Sequence, residues 1–176
     1  INSARLTSTL DILYANKAAG EKALIFVEDL DMQSVVATLV ASRYELKRRP
    51  DRISGEIPGP KRQAIVRRFQ EQGPGFDVLI LSPKAGGVGL TITAANHVIH
   101  LSRWWNPAVE DQATDRVYRI GQDKPVTVHL PLAVHPDPTI AQASFDIRLD
   151  ALLSRKRQLS EDLLLPVEGG DEDLAG

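Results

Sequence analysis

The sequence contains no cysteine, and this absence excludes disulfide bonds, thiolate metal sites and cysteine nucleophiles together. Its four histidines, at positions 97, 100, 129 and 135, do not show a spacing typical of metal ligands, so no metal site is predicted in this chain. No apolar run approaches the roughly 20 residues that a transmembrane helix needs. The N-terminus lacks the pattern of a secretory signal, and a cytoplasmic location without a membrane partner is the expectation.

Two nucleotide-binding signatures are also missing. There is no G-x-x-x-x-G-K-[ST] loop to hold phosphates, and no Asp-Glu pair follows an apolar strand to hold Mg²⁺. The chain is therefore not expected to hydrolyse ATP by itself. A dinucleotide-binding enzyme has little support, because a G-x-G-x-x-G fingerprint is lacking too. Since the first residue is Ile1 rather than Met, we expect the chain to be part of a longer protein.

The composition that remains is that of an ordinary globular domain, with 43% hydrophobic and 25% charged residues in a chain of 176. The charge is unevenly distributed. Six of the 23 acidic residues and no Lys or Arg lie in 161–176, so the preceding part carries a net charge of +4. We therefore predict one domain over residues 1–160 and an acidic, disordered tail over 161–176.

Apolar runs typical of buried strands alternate with stretches typical of amphipathic helices. Strands are predicted at 22–27, 52–54, 76–81, 97–101 and 126–130. Helices are predicted from Ser3 to near Gly20, from Asp29 or Asp31, over 61–72, in a short turn after Gly89, from Asn106 to about Tyr118, and over 139–158. This alternation predicts an α/β domain with a mostly parallel central sheet flanked by helices.

One predicted helix carries an amide and two guanidinium groups on a single face. Gln112, Arg116 and Arg119 are spaced i, i+4 and i+7, which places them along one side of a helix. Two forked, permanently charged donors at this spacing suit a polyphosphate. A solvated helix face explains the same residues, because Asp115 and Arg119 also form an ordinary i, i+4 pair.

A Gly-rich segment, Ser82-Pro-Lys-Ala-Gly-Gly-Val-Gly89, follows the strand predicted at 76–81. Glycines at the carboxyl end of a buried strand free backbone N–H groups to meet a phosphate. A tight connection between strand and helix explains them equally well.

Aromatic and basic side chains provide two further candidates. Trp104 and Trp105, just before Asn106-Pro107, could stack on a base or sugar, or one of them could fill the core. The helix at 61–72 carries basic side chains that could meet a nucleic-acid backbone or simply face solvent. These are Lys61, Arg62, Arg67 and Arg68.

Taken together, these segments resemble the Snf2 family of superfamily 2 helicase-like ATPases, from about Lys22 to Pro131. Lys22–Val27 resembles motif IV, and Leu79–Thr91 resembles motif V. The Arg103–Pro107 segment resembles the family's Trp-Asn-Pro block. The string Gln112-Ala-x-Asp-Arg116-x-x-Arg119-Ile-Gly-Gln122 resembles motif VI, and it is the most specific of the four.

This resemblance implies a three-layer RecA-like domain, the C-terminal of two lobes that bind ATP in the cleft between them and lie across double-stranded DNA. It implies catalytic, nucleotide-sensing and arginine-finger roles for Gln112, Arg116 and Arg119. ATP-binding positions would be Gly87, Gly89, Arg116 and Arg119, and DNA-proximal positions Ser82, Lys84, Gly86, Arg62 and Trp105. ATP with Mg²⁺ would be held mainly by the missing N-terminal lobe of the same protein. The resemblance also implies a monomeric fragment, inactive alone, in the bacterial cytoplasm or nucleoid.

Two departures from the family pattern keep a different function open. Pro83 stands where the family usually has Leu or Thr, and proline has no N–H to donate to a phosphate. Ser102 replaces the acidic residue that usually precedes the Trp-Asn-Pro block. A degenerate lobe that serves only as a protein- or DNA-binding module is therefore the alternative to a translocase.

Overall fold

The fold is built on short strands whose nearly continuous apolar sequences suit burial on both faces. The computed structural model describes residues 3–84, 90–103, 107–115 and 122–164. Its strands are β1 (Lys22–Phe26), β2 (Asp51–Ile53), β3 (Asp77–Leu81), β4 (His97–His100) and β5 (Thr127–His129). They form one parallel sheet in the order β2-β3-β1-β4-β5. The predicted parallel sheet is confirmed.

The first four helices begin close to their predicted starts. They are α1 (Ala4–Ala19), α2 (Leu30–Arg43), α3 (Gly59–Glu71), α4 (Pro107–Asp115) and α5 (Phe145–Leu164). The Ser3 side chain accepts a hydrogen bond from the Leu6 N–H, and Asp29, one of two candidate caps, accepts one from Met32. Gly20 ends α1 with φ of 66°, a conformation that glycine adopts without a steric penalty. No helix in the described ranges is long and apolar enough to cross a bilayer.

Alternate side chains of the strands point to two different cores. On one face of the sheet, Ala23 and Ile25 of β1 pack with side chains of α1 and α2, such as Leu13 and Val36. On the other face, Leu24 and Phe26 pack with side chains of α3 and α4, such as Phe69 and Ala113. Helices therefore cover both faces, which gives the three-layer RecA-like arrangement that the sequence predicts.

Two predicted helical segments differ from the structure. The final helix was expected over 139–158, but α5 begins at Phe145 because a short 3-10 turn, Ala141–Ala143, occupies the chain before it. It continues to Leu164, four residues beyond the predicted boundary at 160. Residues 165–176 lie outside the described residues, so the acidic tail stays a prediction. The described residues 90–96, where a helical turn was expected, reach β4 without helix.

Candidate functional site

The candidate site lies where the parallel strands end. Because the strands run in the same direction, their carboxyl ends meet at one edge of the sheet, where open α/β sheets bind ligands. Ser54 follows β2, Ser82 follows β3, and Ser102 follows β4. Hydrogen bonds join these ends, since Ser82 N donates to Ile53 O at 2.9 Å and Ser102 N donates to Phe26 O at 3.2 Å.

Ser82, a predicted DNA contact, is buried and already engaged within the protein. Gln33 of α2 is also buried, and its Nε2 donates to the Ser82 Oγ at 2.9 Å and to the Val27 carbonyl at 2.8 Å. Lys84, two residues further along, is exposed. In this arrangement Lys84 is accessible from solvent, whereas the Ser82 hydroxyl belongs to an internal hydrogen-bond network.

Helix α4 carries Gln112 on its outer side. The helix begins at Pro107, the residue that the sequence predicts for its first turn, because a proline there loses no hydrogen bond. Glu110 and Ala113 are buried, while Gln112 and Asp115 are exposed. Gln112 therefore faces away from the sheet. Arg116 and Arg119, like Gly86, Gly87, Gly89 and Trp105, lie outside the described residues, and their roles stay predictions.

An ion-pair network with a buried centre at Arg103 and Glu110 ties α4 to α5. Arg103, whose side chain is 2% exposed, donates to Glu110 Oε1 from Nε at 2.7 Å and to Asp150 of α5 from Nη1 at 2.7 Å. Arg157 of α5 donates to Glu110 Oε2 at 2.9 Å and to Asp111 Oδ1 at 2.9 Å. We refer to Arg103, Glu110, Asp111, Asp150 and Arg157 as the α4–α5 network.

The charges of this network compensate one another. Burial alone would lower the pKa of Arg103, but hydrogen bonds to Glu110 and Asp150 outweigh it and raise that pKa above its ordinary value. The pKa of Arg157 is raised in the same way, because hydrogen bonds to Asp111 and Glu110 outweigh the cost of burial. Glu110 accepts from both arginines and is itself 2% exposed, so it is the common acceptor at the centre.

A second polar contact holds the same helix to the sheet. His100, at the end of β4, is buried against Phe26 with a distance of 5.2 Å between ring centroids. Its Nε2 lies 3.0 Å from the Thr114 hydroxyl of α4. Burial lowers the pKa of His100 to about 4, so the ring is neutral near pH 7.

The basic residues of α3 divide into two groups. Arg68 pairs with Asp51 at 2.5 Å, and Arg48 reaches the same carboxylate at 2.7 Å, so Arg68 serves to join α3 to β2. Lys61 instead lines a groove of about 810 Å³ that runs along β2, with Arg52 on its wall. Arg62, the predicted DNA-proximal residue of this helix, is half-buried.

Sequence reasoning missed the residues that hold α4 in place. His100, Glu110 and Arg157, which contact or belong to α4, were not singled out, and neither was Gln33, which links α2 to Ser82. Arg157 is 47 residues away from Glu110. Acidic and basic residues on helices usually face solvent, so no local pattern marks these as buried partners.

Carboxylates and imidazoles do not converge elsewhere into a metal site. Among residues 3–84, 90–103, 107–115 and 122–164, no group of three or more His, Cys, Asp or Glu could hold a metal ion. His97 and His129 stack across β4 and β5, with Nδ1 and Nε2 separated by 3.1 Å. His97 is the first residue of β4, and His129 is the last residue of β5.

The matched family decides what kind of domain this is. Residues 4–121 match the helicase conserved C-terminal domain, a range that contains β1 to β4, α1 to α4 and all but the last residue of the predicted motif VI string. The chain is a C-terminal helicase lobe of the Snf2 family. It is 37% identical over 92% of its length to YwqA of Bacillus subtilis, a proposed ATP-dependent helicase/translocase, and 41% identical over 93% to the Zorya protein ZorD of Escherichia coli.

Solved structures agree with this assignment. The lobe superposes on the SWI2/SNF2 ATPase core of Sulfolobus solfataricus in complex with double-stranded DNA, with a TM-score of 0.70, 34% identity and 92% of this chain covered. The C-terminal part of the Fun30 ATPase domain gives a TM-score of 0.70 at 27% identity over 86%. The chain spans only 16% of YwqA, 15% of ZorD and 31% of the Sulfolobus core.

Proposed function

We propose that this lobe is the second half of an ATP-driven translocase that moves along double-stranded DNA. The observation that carries the proposal is the orientation of α4. Its inner face is fixed by Glu110, Ala113 and Thr114, and its outer face exposes Gln112 at the start of the motif VI string. Related lobes occur in proteins described as helicases and in a core bound to double-stranded DNA, which supports the same function here.

In this proposal the lobe completes an ATP site rather than forming one. An N-terminal lobe of the same protein holds ATP and most of the Mg²⁺ coordination, and the present lobe, monomeric by itself, closes on it. Gln112 contacts the nucleotide, and Arg116 and Arg119 stabilise the negative charge that develops on the γ-phosphate during hydrolysis. Gly87 and Gly89 bring backbone N–H groups to the same cleft. Mg²⁺ held there would neutralise phosphate charge.

The DNA-facing side of the lobe is the carboxyl edge of β2 and β3. Lys84 is exposed there, and Lys61 lines the adjacent groove, so both can approach a phosphate backbone. Gly86, Arg62 and Trp105 complete the proposed contact surface. Ser82 has a different part: its bond to Gln33 connects the strand end to α2, and it couples the Gly-rich segment to that helix. With DNA as the substrate, the protein works in the bacterial cytoplasm or nucleoid.

The decisive experiment measures DNA-stimulated ATP hydrolysis by the full-length protein. Replacement of Arg116 or Arg119 by Ala is expected to lower kcat by roughly 10³-fold or more, the size of effect that arginine fingers produce. Arg148→Ala is the matched control, because Arg148 is an exposed arginine of α5. Arginine variants that keep the activity of the Arg148 control would refute the proposed role. The isolated lobe is expected to show no ATPase activity.

The burial of Ser82 also favours a second candidate function. The Ser82 hydroxyl of motif V is buried, and Pro83 follows it. Such a lobe could retain the fold and serve only as a binding module. Such a module would bind DNA or protein without hydrolysis. Full-length protein that binds double-stranded DNA with no detectable DNA-stimulated ATPase activity would favour the module over the translocase.

A further inference from the structure

We propose that Arg157 of α5 and its acceptor Glu110 are positioning residues for the motif VI arginines, which they orient without touching the nucleotide. This inference rests on the proposed function of Arg116 and Arg119. It starts from the α4–α5 network, which the motif assignment does not explain. Motifs IV to VI end near residue 122, whereas Arg157 lies in the last described helix.

The network acts on the residues just before the proposed catalytic ones. Glu110 and Asp111 immediately precede Gln112, and Arg157 reaches both of their carboxylates through one guanidinium group. The described part of α4 ends at Asp115, the residue directly before Arg116 in the sequence. A rotation or shift of α4 at Glu110 would therefore displace Gln112 and the end of the helix at Asp115, from which the chain enters the proposed catalytic segment.

The three contacts on α4 fix its rotation as well as its distance from the sheet. Glu110 and Thr114 are four residues apart and therefore lie on one face, where Arg103 and His100 meet them. Asp111 lies on the flank and meets Arg157. Ala113 is fully buried, which lets the helix approach the sheet closely. Apolar packing alone permits a helix to slide or turn, whereas forked guanidinium–carboxylate bonds impose a direction.

This placement matters because arginine fingers depend on geometry. A misplacement of about 1 Å by a distant mutation can cost on the order of 100-fold in rate. Arg103 is buried and pairs with the buried carboxylate of Glu110, so its replacement would also destabilise the core. Arg157 is 27% exposed and sits at the outer end of the network, so it can be changed with less damage to folding. It is the residue that can test positioning separately from stability.

The test compares Arg157→Ala with Arg155→Ala in the full-length protein. Arg155 is an exposed arginine two residues earlier on the same helix and serves as the matched control. Four quantities are measured: kcat and KM for ATP in the presence of DNA, the dissociation constant for double-stranded DNA, and Tm. We expect Arg157→Ala to lower kcat on the order of 10-fold or more. The KM and the DNA dissociation constant should change by less than about threefold, because neither ligand loses a contact.

Arg157→Lys separates charge from geometry. Lysine keeps the positive charge and an aliphatic stem, so the protein should fold, but it has no counterpart of the Nε group that donates to Asp111 beside Nη2. Its kcat is expected to lie between those of the wild type and Arg157→Ala. A kcat equal to wild type in the lysine variant, or a loss in Arg157→Ala no larger than in Arg155→Ala, would overturn the inference. So would a kcat loss that matches the unfolded fraction at the assay temperature.

The kcat values of the Arg157 variants are compared with that of Arg116→Ala in the same full-length protein. Full activity in Arg116→Ala refutes the proposed function and this inference with it. Loss of activity in Arg116→Ala together with wild-type kcat in both Arg157 variants refutes only the positioning role. Loss in both, with unchanged KM and DNA affinity for Arg157→Ala, supports both.

Discussion

Gln33 and Ser82 are 49 residues apart in sequence and are joined by a buried hydrogen bond of 2.9 Å from Nε2 to Oγ. The second Nε2 hydrogen of Gln33 goes to the carbonyl of Val27 at 2.8 Å. One amide group thus connects α2 with the ends of β1 and β3. Through it, the segment that follows β3 is tied to the helix that follows β1.

Replacement of Gln33 by Leu is expected to destabilise the lobe by about 1–3 kcal/mol. The substitution removes the donor shared by two buried acceptors, and an acceptor left without a partner costs this much. The free energy of unfolding in urea is the appropriate measurement. Gln63→Leu provides the control, since Gln63 is an exposed glutamine on α3. Equal midpoints for the two variants would show that the Gln33 amide contributes nothing.

Replacement of Arg103 by Met is expected to cost about 3–5 kcal/mol, because it breaks a buried charged network by removing one partner. Methionine fills much of the same volume, so the loss of unfolding free energy reflects the missing charge more than a cavity. Arg148→Met, on the exposed surface of α5, should leave the unfolding free energy nearly unchanged. A loss below about 1 kcal/mol for Arg103→Met would indicate that Arg157 alone satisfies Glu110.

His100 predicts a specific dependence of stability on pH. The pKa of His100 is about 4 in the folded lobe, below the ordinary value of 6.5. Between these two pH values the unfolded chain therefore binds a proton that the folded lobe does not bind. Stability is therefore fully present above pH 6.5 and is lost as pH falls toward 4, by up to about 3 kcal/mol. His100→Gln should lose less stability than the wild type between pH 7 and pH 4.5.

The control for this titration is His135→Gln, in an exposed loop. Its loss of stability over the same interval should match that of the wild type. Parallel curves for the wild type and His100→Gln would contradict the assignment of this pH dependence to His100. Acidic residues contribute equally to all three proteins and cancel in the comparison.

Local sequence signals predict much of this fold. The run Lys22–Val27 is apolar enough to indicate a strand buried on both faces, and the capping side chains of Ser3 and Asp29 mark helix starts within a residue. The start of α5 was missed because Ser144 bonds both to the loop before the helix and to the first turn of the helix. Its Oγ accepts from His135 N, and its carbonyl accepts from Arg148 N, so the helix begins after it.

The candidate site was predicted only in part. Motif VI identifies Gln112, and the structure places that residue on an exposed helix face. The residues that fix the helix are charged or polar, and nothing in their local sequence distinguishes a buried Glu110 or His100 from a solvated one. Their partners come from other elements, so only the fold brings them together.

The α4–α5 network limits how far the lobe can be shortened from its C-terminus. The matched family range ends at residue 121, but a protein truncated there would lose β5 and α5. β4, with Val98 and Ile99, would become an open sheet edge able to pair with other chains and aggregate. Glu110 would lose Arg157, and Arg103 would lose Asp150. The smallest piece expected to stay folded in solution therefore extends through α5, more than 40 residues beyond the last motif.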